Sequence, residues 1–418
     1  MARLTRVCVA VALLLPAARA DVTVIDPAGG PGVELLRAAL IAAAPGDVLL
    51  LAPGDYLNTL PPYVIDTGVT LLPAPGAGRL TLGPIEVVGL PAGQQLVLRG
   101  FDLLATVWLF QPTLYMHGSA GVVWLEDCDV KGFDQNTSST TLGGFPGAAV
   151  EINQGEGVFR HCSLRGGHGI DSVDSLDGFT GSGGDALRLM FNSKATLHDC
   201  TLLGGDAGDG TPHFFSGDYG GYGAYLHASD ATLAGCTLQG GAEGADNDDW
   251  PGTAGSALLC WLAPTDARIT DCTFEAGALQ GEGKPAPAVW DPHDGITAYD
   301  GPARGLVLPD QLREGEAGAL HAAGAPGDLV LVLVSPVADL VPLKGQEGTL
   351  VTQISTLLGP IALGTLAGPD GVLDVPMAMP QLPAGVEDIT VLVQGLFKDV
   401  DGSVLGGASA LAWIDQAF

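Results

Sequence analysis

The chain is expected to be all-β: a parallel β-helix, or solenoid, followed by a small antiparallel β-sandwich-like domain. Three observations lead there. The first is a phrase spoken five times: LEDCDVKGF (125–133), FRHCSLRGG (159–167), LHDCTLLGG (197–205), LAGCTLQGG (233–241) and ITDCTFEAG (269–277). Its cysteines, Cys128, Cys162, Cys200, Cys236 and Cys272, recur every 34 to 38 residues, a period that signals stacked repeats. The second is a short glycine-led apolar run ahead of each later phrase: GAAVEI (147–152), GDALRL (184–189), GAYLHA (223–228) and GSALLC (255–260). The third is a change of texture after residue 304, where cysteines stop and longer apolar runs begin.

Each repeat therefore holds two strand-length pieces. Alternation such as Thr196-Leu197-His198-Asp199-Cys200-Thr201-Leu202 sends one set of side chains inward and the other to solvent. No run is long enough for a helix, and glycines punctuate the ends. So small a unit cannot bury its apolar face alone. Stacked on copies of itself, with strands pairing in parallel about 4.8 Å apart, it can. Leucine-rich and helical repeats do not fit, because neither a Leu/Asn consensus nor helix-length segments are present. Equivalent cysteines then fall in one internal column. Metal ligation needs short C-x2-C pairs, which are absent, and parallel in-register Cβ vectors suit disulfides poorly. Buried thiols acting as small hydrophobes are expected instead, with Cys260 on a first-strand run.

Residues 1–20 have the pattern of an export signal. Arg3 and Arg6 precede an apolar core, Val7 to Leu15, and Ala18-Arg19-Ala20 is a small-x-small cleavage site. The mature chain would start near Asp21 and be secreted or held at the cell surface. No later stretch reaches the roughly 18 apolar residues of a membrane span. Residues 21–60 are expected to cap the solenoid and form its first coil. Asp21–Ile25 alternates as a strand, Val33–Ala44 is rich in helix formers, and Pro45-Gly46 stops the helix. Asp47–Tyr56 then gives strand, turn, strand. A helix over the open end hides backbone edges that would otherwise template aggregation.

A helix leading into PGDVLLLAPGDY and then VIDTGVTLL (64–72) resembles the start of the right-handed parallel β-helix proteins of the pectin-lyase-like superfamily, and the cysteine phrases resemble their coils. The resemblance covers about residues 21–290 and implies the fold more than any one activity. Within residues 61–281, the expected β-helix, the coils before Asp127 are less regular. There Gly100-Phe101-Asp102-Leu103 resembles the phrase with glycine at the cysteine position, and Trp108, Phe110, Tyr115 and Trp124 are expected to pack on the core and its flanks rather than to form a sugar platform.

Residues 282–304, rich in Pro, Gly and Asp, are expected to be a linker with little regular structure. Residues 305–418 then form the second domain. Its strand candidates include 328–335, 361–366, 371–375, 389–396 and 408–413, with Asp370-Gly371 and Asp401-Gly402 as turns.

A formal net charge of −30 disfavours nucleic acid and anionic membranes, which need a basic footprint. The 62 glycines suit a turn-rich solenoid. Between each phrase and the next first strand lies an insertion: 134–146, 168–183, 206–222 and 242–254. Insertions at one phase of a solenoid emerge on one face. These carry many aspartates and aromatics and not one Lys or Arg. Oxygen ligands suit calcium and aromatic planes stack on sugars. The expected ligand-binding residues are accordingly Phe214, Phe215, Tyr219, Tyr222 and Trp250, and the expected calcium ligands Asp206, Asp209, Asp246, Asp248 and Asp249. The bland alternative is that Asp and Gly make turns.

Two enzyme resemblances bear on this. Gly167-His168-Gly169 and Asp248-Asp249 look like fragments of the polygalacturonase motif set, but in the reverse chain order and on insertions. Pectate-lyase-like chemistry needs a basic residue near a calcium site; Arg160, Arg165, Arg188 and Lys194 lie on or beside strands. The expectation is a monomeric, non-catalytic exported protein that binds polysaccharide or a cell-surface glycan. The alternative is a polysaccharide lyase or glycoside hydrolase, for which no catalytic residue can be named.

Overall fold

The computed structural model describes residues 20–58, 61–105, 112–134, 146–171, 181–209, 219–244, 252–279, 284–343, 347–383, 385–399 and 402–418, apart from residue 30. Three parallel sheets wind into a β-helix. The first face has ten strands, from Val22–Ile25 to Ile296–Tyr299. The second has seven, from Leu80–Leu82 to Thr273–Glu275. The third has eight, from Tyr63–Ile65 to Val289–Trp290. One rung runs Val122–Glu126 on the first face, Asp129–Lys131 on the second, then through an insertion to Val150–Asn153 on the third.

The register is the one the repeated phrase implies. Asp129, Ser163, Thr201, Thr237 and Thr273 pair in turn, so the cysteine before each falls in one column. Leu202 pairs with Leu238 in the next column but one. Cys128, Cys162, Cys200 and Cys236 are buried, Cys272 is half-buried, and all are free thiols. Burial raises the thiols of Cys128 and Cys200 well above their ordinary value and pushes Cys260 up to about 12, so they pack as hydrophobes.

The residue before each cysteine has a separate task. Asp127, His161, Asp199, Gly235 and Asp271 all sit at φ between 48° and 65°, where the chain turns from the first face to the second. That left-handed bend favours Gly and Asp, as the phrase reads. Gly100, at φ 76°, occupies the same slot one rung earlier, and Asp102 pairs with Asp129. The glycine is therefore the bend residue, and Phe101 holds the cysteine position.

The helix Gly32–Ala42 closes the end, with Leu36 and Leu40 buried against Ile25, Leu49, Leu51 and Tyr56. It is not long and apolar enough to cross a membrane, and no other described helix is. At the far end the expected linker turns out to be more solenoid. Val289–Trp290 pairs with the third face and Ile296–Tyr299 with the first, adding a rung after the last cysteine phrase. Short strands between Pro, Gly and Asp turns leave little periodic signal.

The second domain has a three-stranded antiparallel sheet, Gly305–Val307, Ala317–Ala323 and Val372–Ala378. Opposite it lies a five-stranded sheet in the order Gln311–Arg313, Ser403–Ile414, Asp388–Lys398, Leu329–Ser335, Leu358–Thr365. Leu320, Val330, Val391, Phe397 and Trp413 fill the space between them. The domain lies along the first face. Val97, Val122, Trp124 and Val158 pack against Leu340, Val351, Leu392, Ala408 and Ala410, while Val48, Leu50 and Leu72 meet Ala412 and Ile414. Strand Val122–Glu126 is consequently buried on both sides.

Candidate functional site

The insertions leave at the corner between the second and third faces, and glycine builds their necks. Outgoing Gly167, Gly205, Gly241 and Gly277 interleave with returning Gly147, Gly184, Gly221 and Gly255. Each N–H donates to the carbonyl of the previous member: Gly184 to Gly167, Gly205 to Gly184 and Gly221 to Gly205, all at 2.8 Å. A Cβ on Gly205 would lie 1.9 Å from the Gly167 carbonyl oxygen, and one on Gly221 1.9 Å from that of Gly184. The necks are thus a solid two-ply stack. The residues just beside the necks also lie side by side, Gly183 N–H donating to Tyr219 O and Gly220 N–H to Thr253 O.

Of the residues expected to bind, Phe214, Phe215, Trp250, Asp246, Asp248 and Asp249 lie outside the described residues, as do Trp108 and Phe110. Tyr219 is described and is 63% exposed. Asp206 is a strut between rungs. Its Oδ1 accepts the Ala242 N–H at 2.8 Å, its own N–H donates to His168 Nδ1, and its Oδ2 lies 3.4 Å from that nitrogen. Asp134 does the same one rung back, accepting the His168 N–H. The Asp209 N–H donates to Asp171 Oδ1. Among the described residues, no group of three or more His, Cys, Asp or Glu is arranged to hold a metal ion. Asp206→Ala should cost about 1 kcal/mol, because it leaves the buried Ala242 N–H without an acceptor. Denaturant melts should give that same loss with and without millimolar calcium; a loss that appears only with calcium would mark a metal ligand instead.

Tyr222 leads to a surface that sequence reasoning passed over. It stacks on Tyr225, ring centroids 5.8 Å apart, and Tyr225 points outward from the third face. In the register of that face, outward side chains form two rows. One reads Glu86, Tyr115, Glu151, Arg188, Tyr225, Leu259, Trp290. The other reads Val88, His117, Asn153, Met190, His227, Trp261. Tyr115 stacks on His117 at 4.8 Å, Phe191 meets His227 edge-on at 4.9 Å, and Trp261 meets Trp290 at 5.7 Å. Phe191, Trp261 and Trp290 remain exposed. The signal was present in GAAVEI, GDALRL and GAYLHA, whose outward positions are Glu151, Arg188, Tyr225 and His227.

The polar groups between the rings are held in place. The Arg188 guanidinium lies 2.8 Å from Asp185 and 3.1 Å from Glu151, and these carboxylates raise its pKa further. Asp185 also accepts the Tyr222 N–H, fixing the aromatic row to the neck. Glu86 lies 3.0 Å from His117, and the Tyr225 hydroxyl 3.0 Å from His227 Nδ1. The other basic candidates are engaged elsewhere. Arg160 is buried against Glu126 beneath the second domain. Lys194 pairs with Glu156 and donates to the Leu340 carbonyl, and Arg165 meets His168.

No protein-family model matches the chain, and no curated protein matches it. Among the solved structures with a limited likeness are two. One is the pectate lyase Pel9A, at 11% identity and a TM-score of 0.26 over 67% of this chain and 82% of that one. The other is a superoxide reductase (neelaredoxin) from Ignicoccus hospitalis, at 6% identity and a TM-score of 0.15 over 27% of this chain and 80% of that one. Scores so low have no bearing on activity. The β-helix itself stands on the three stacked parallel sheets.

Proposed function

We propose that the protein is an exported, non-catalytic member of the pectin-lyase-like superfamily that binds polysaccharide or a cell-surface glycan along its third face. The observation that carries this is the pair of outward rows in which aromatic rings, those of Trp261 and Trp290 exposed, stand beside the carboxylates of Glu86 and Glu151 and a clamped arginine. Ring faces such as those of Tyr225, Trp261 and Trp290 cover the apolar faces of sugars, and carboxylates fixed beside them accept hydroxyl protons. Rungs about 4.8 Å apart give a row along which a linear chain can lie. Export after cleavage near Ala20 belongs to the same reading, as does calcium bound by the aspartates at Asp246, Asp248 and Asp249. Against a lyase at this face stands Arg188: held as a cation between two carboxylates, it is a poor general base.

The test is affinity electrophoresis and calorimetry against a panel of acidic and neutral polysaccharides. Tyr225→Ala with Trp261→Ala should weaken binding about tenfold or more, since each lost stacking contact contributes roughly 0.5–1.5 kcal/mol, while the melting temperature holds. Binding that survives the double substitution would move the site away from this face. Depolymerisation of any polysaccharide in the panel would replace the binder with an enzyme.

A further inference from the structure

Where the first strand meets the second domain, four carboxylates gather: those of Asp21, Asp47, Glu387 and Asp388. Asp47 accepts the Asp21 N–H on Oδ1 at 2.9 Å and the Ala44 N–H on Oδ2 at 2.8 Å. Glu387 Oε2 accepts the Val22 N–H at 3.2 Å. Beside them Asp388 is 1% exposed, and neither of its carboxylate oxygens has a hydrogen-bond partner. A buried carboxylate without donors, next to other acids, is costly. Asp388 itself asks for a cationic donor.

The backbone nitrogen of Asp21 is the first atom after the small-x-small motif Ala18-Arg19-Ala20. We infer that the cluster of Asp47, Glu387 and Asp388 is the receptor for a new N-terminal ammonium, formed when a peptidase cuts between Ala20 and Asp21. In that step water adds across the peptide bond: the Ala20 carbonyl becomes a carboxylate, and the Asp21 nitrogen takes up protons to become –NH3+. A neutral N–H···O bond to Asp47 thereby becomes charge-assisted, with two further donors to offer its neighbours. Cleavage would thus lock the first strand of the solenoid to the last strands of the second domain, Asp388–Lys398 and Ser403–Ile414. Burial first, then Asp47, Glu387 and Asp21, push the Asp388 carboxyl from 3.8 up to about 8, as expected of a group still lacking its counter-ion.

The inference rests on the export reading above, and the experiment separates the two. Mass spectrometry of protein recovered outside a host cell reads the N-terminal residue; a terminus other than Asp21 sinks the cleavage. Independently, the chain 21–418 is prepared with a free amine, with an acetylated amine, and with one extra glycine. The free-amine form should melt about 2 °C or more above the other two. That gap should close in Asp388→Asn and shrink in Glu387→Gln. In the acetylated form stability should fall as pH rises from 3.8 through about 8, since folded Asp388 holds its proton longer than unfolded Asp388. The free-amine form should fall less over the same window. Equal melting of the three forms overturns the receptor whatever the fate of the leader. So does stabilisation of the acetylated form by millimolar calcium that Asp388→Asn abolishes, which would make this a divalent-cation site.

Discussion

Gly205→Ala is expected to cost about 4 kcal/mol or more, enough to deplete soluble protein, because the neck stack has no room for one methyl group. The added Cβ would lie 1.9 Å from the Gly167 carbonyl oxygen and within 3.0 Å of the Gly166 carbonyl. Both are backbone atoms, and the Gly167 carbonyl already accepts the Gly184 N–H, so neither can turn aside as a side chain would. Gly205 itself donates to Gly184 and accepts from Gly221, and moving it disturbs the necks on both sides. A suitable control is Gly402→Ala, where nothing lies within 4 Å of the added Cβ and the backbone is not left-handed. There the change should be neutral or stabilising by about 0.4–1 kcal/mol, through the unfolded chain. Denaturant melts of the two variants decide the matter. A Gly205→Ala loss below about 1 kcal/mol would mean that the interleaved stack does not hold the insertions.

The solenoid was legible because each rung repeats the same local problem. A residue that tolerates a left-handed bend, then a small buried thiol, then an outward polar residue and an inward valine or leucine recur in that order from Asp127 to Leu238. What covers the first face was not legible. Val122–Glu126 shows an apolar run with both sides buried, yet nothing in VVWLE says that Ala408 and Ala410 lie over Trp124. Nothing in the one-dimensional pattern marks Arg99, Glu126 and Arg160 as buried, and all three are. Such contacts join residues up to 311 apart, and no local rule reaches that far.

The candidate site was legible only at its margin. Aspartates and aromatics in the insertions drew attention outward, while two described aspartates, Asp134 and Asp206, prove to brace one rung against the next. Tyr222 was found because it lies in an insertion. Tyr225, His227 and Trp261 were missed because they lie on strands, where alternation was taken only as a fold signal. The outward half of that alternation is also a list of what solvent meets.

The buried charge cluster between the two domains gives the second large effect. Glu126 is 0% exposed; its Oε1 accepts from Arg160 Nη1 at 2.5 Å and from Ser409 Oγ at 2.7 Å, and its Oε2 accepts the Ala410 N–H at 3.0 Å. Arg99, 2% exposed, lies 3.4 Å from the same carboxylate and donates to the Leu308 and Ala410 carbonyls. Glu126→Ala should therefore cost about 3–5 kcal/mol: it strands the buried Arg160 cation and removes the acceptor for two donors of the second domain. Because the loss falls at the interface, calorimetry should show the single transition splitting, with the second domain melting first. Glu126→Leu combined with Arg160→Met should recover much of the loss, since an apolar pair of similar volume leaves no orphaned charge. If Glu126→Ala instead shifts stability by less than about 1 kcal/mol with one transition retained, the buried charge cluster does not hold the two domains together.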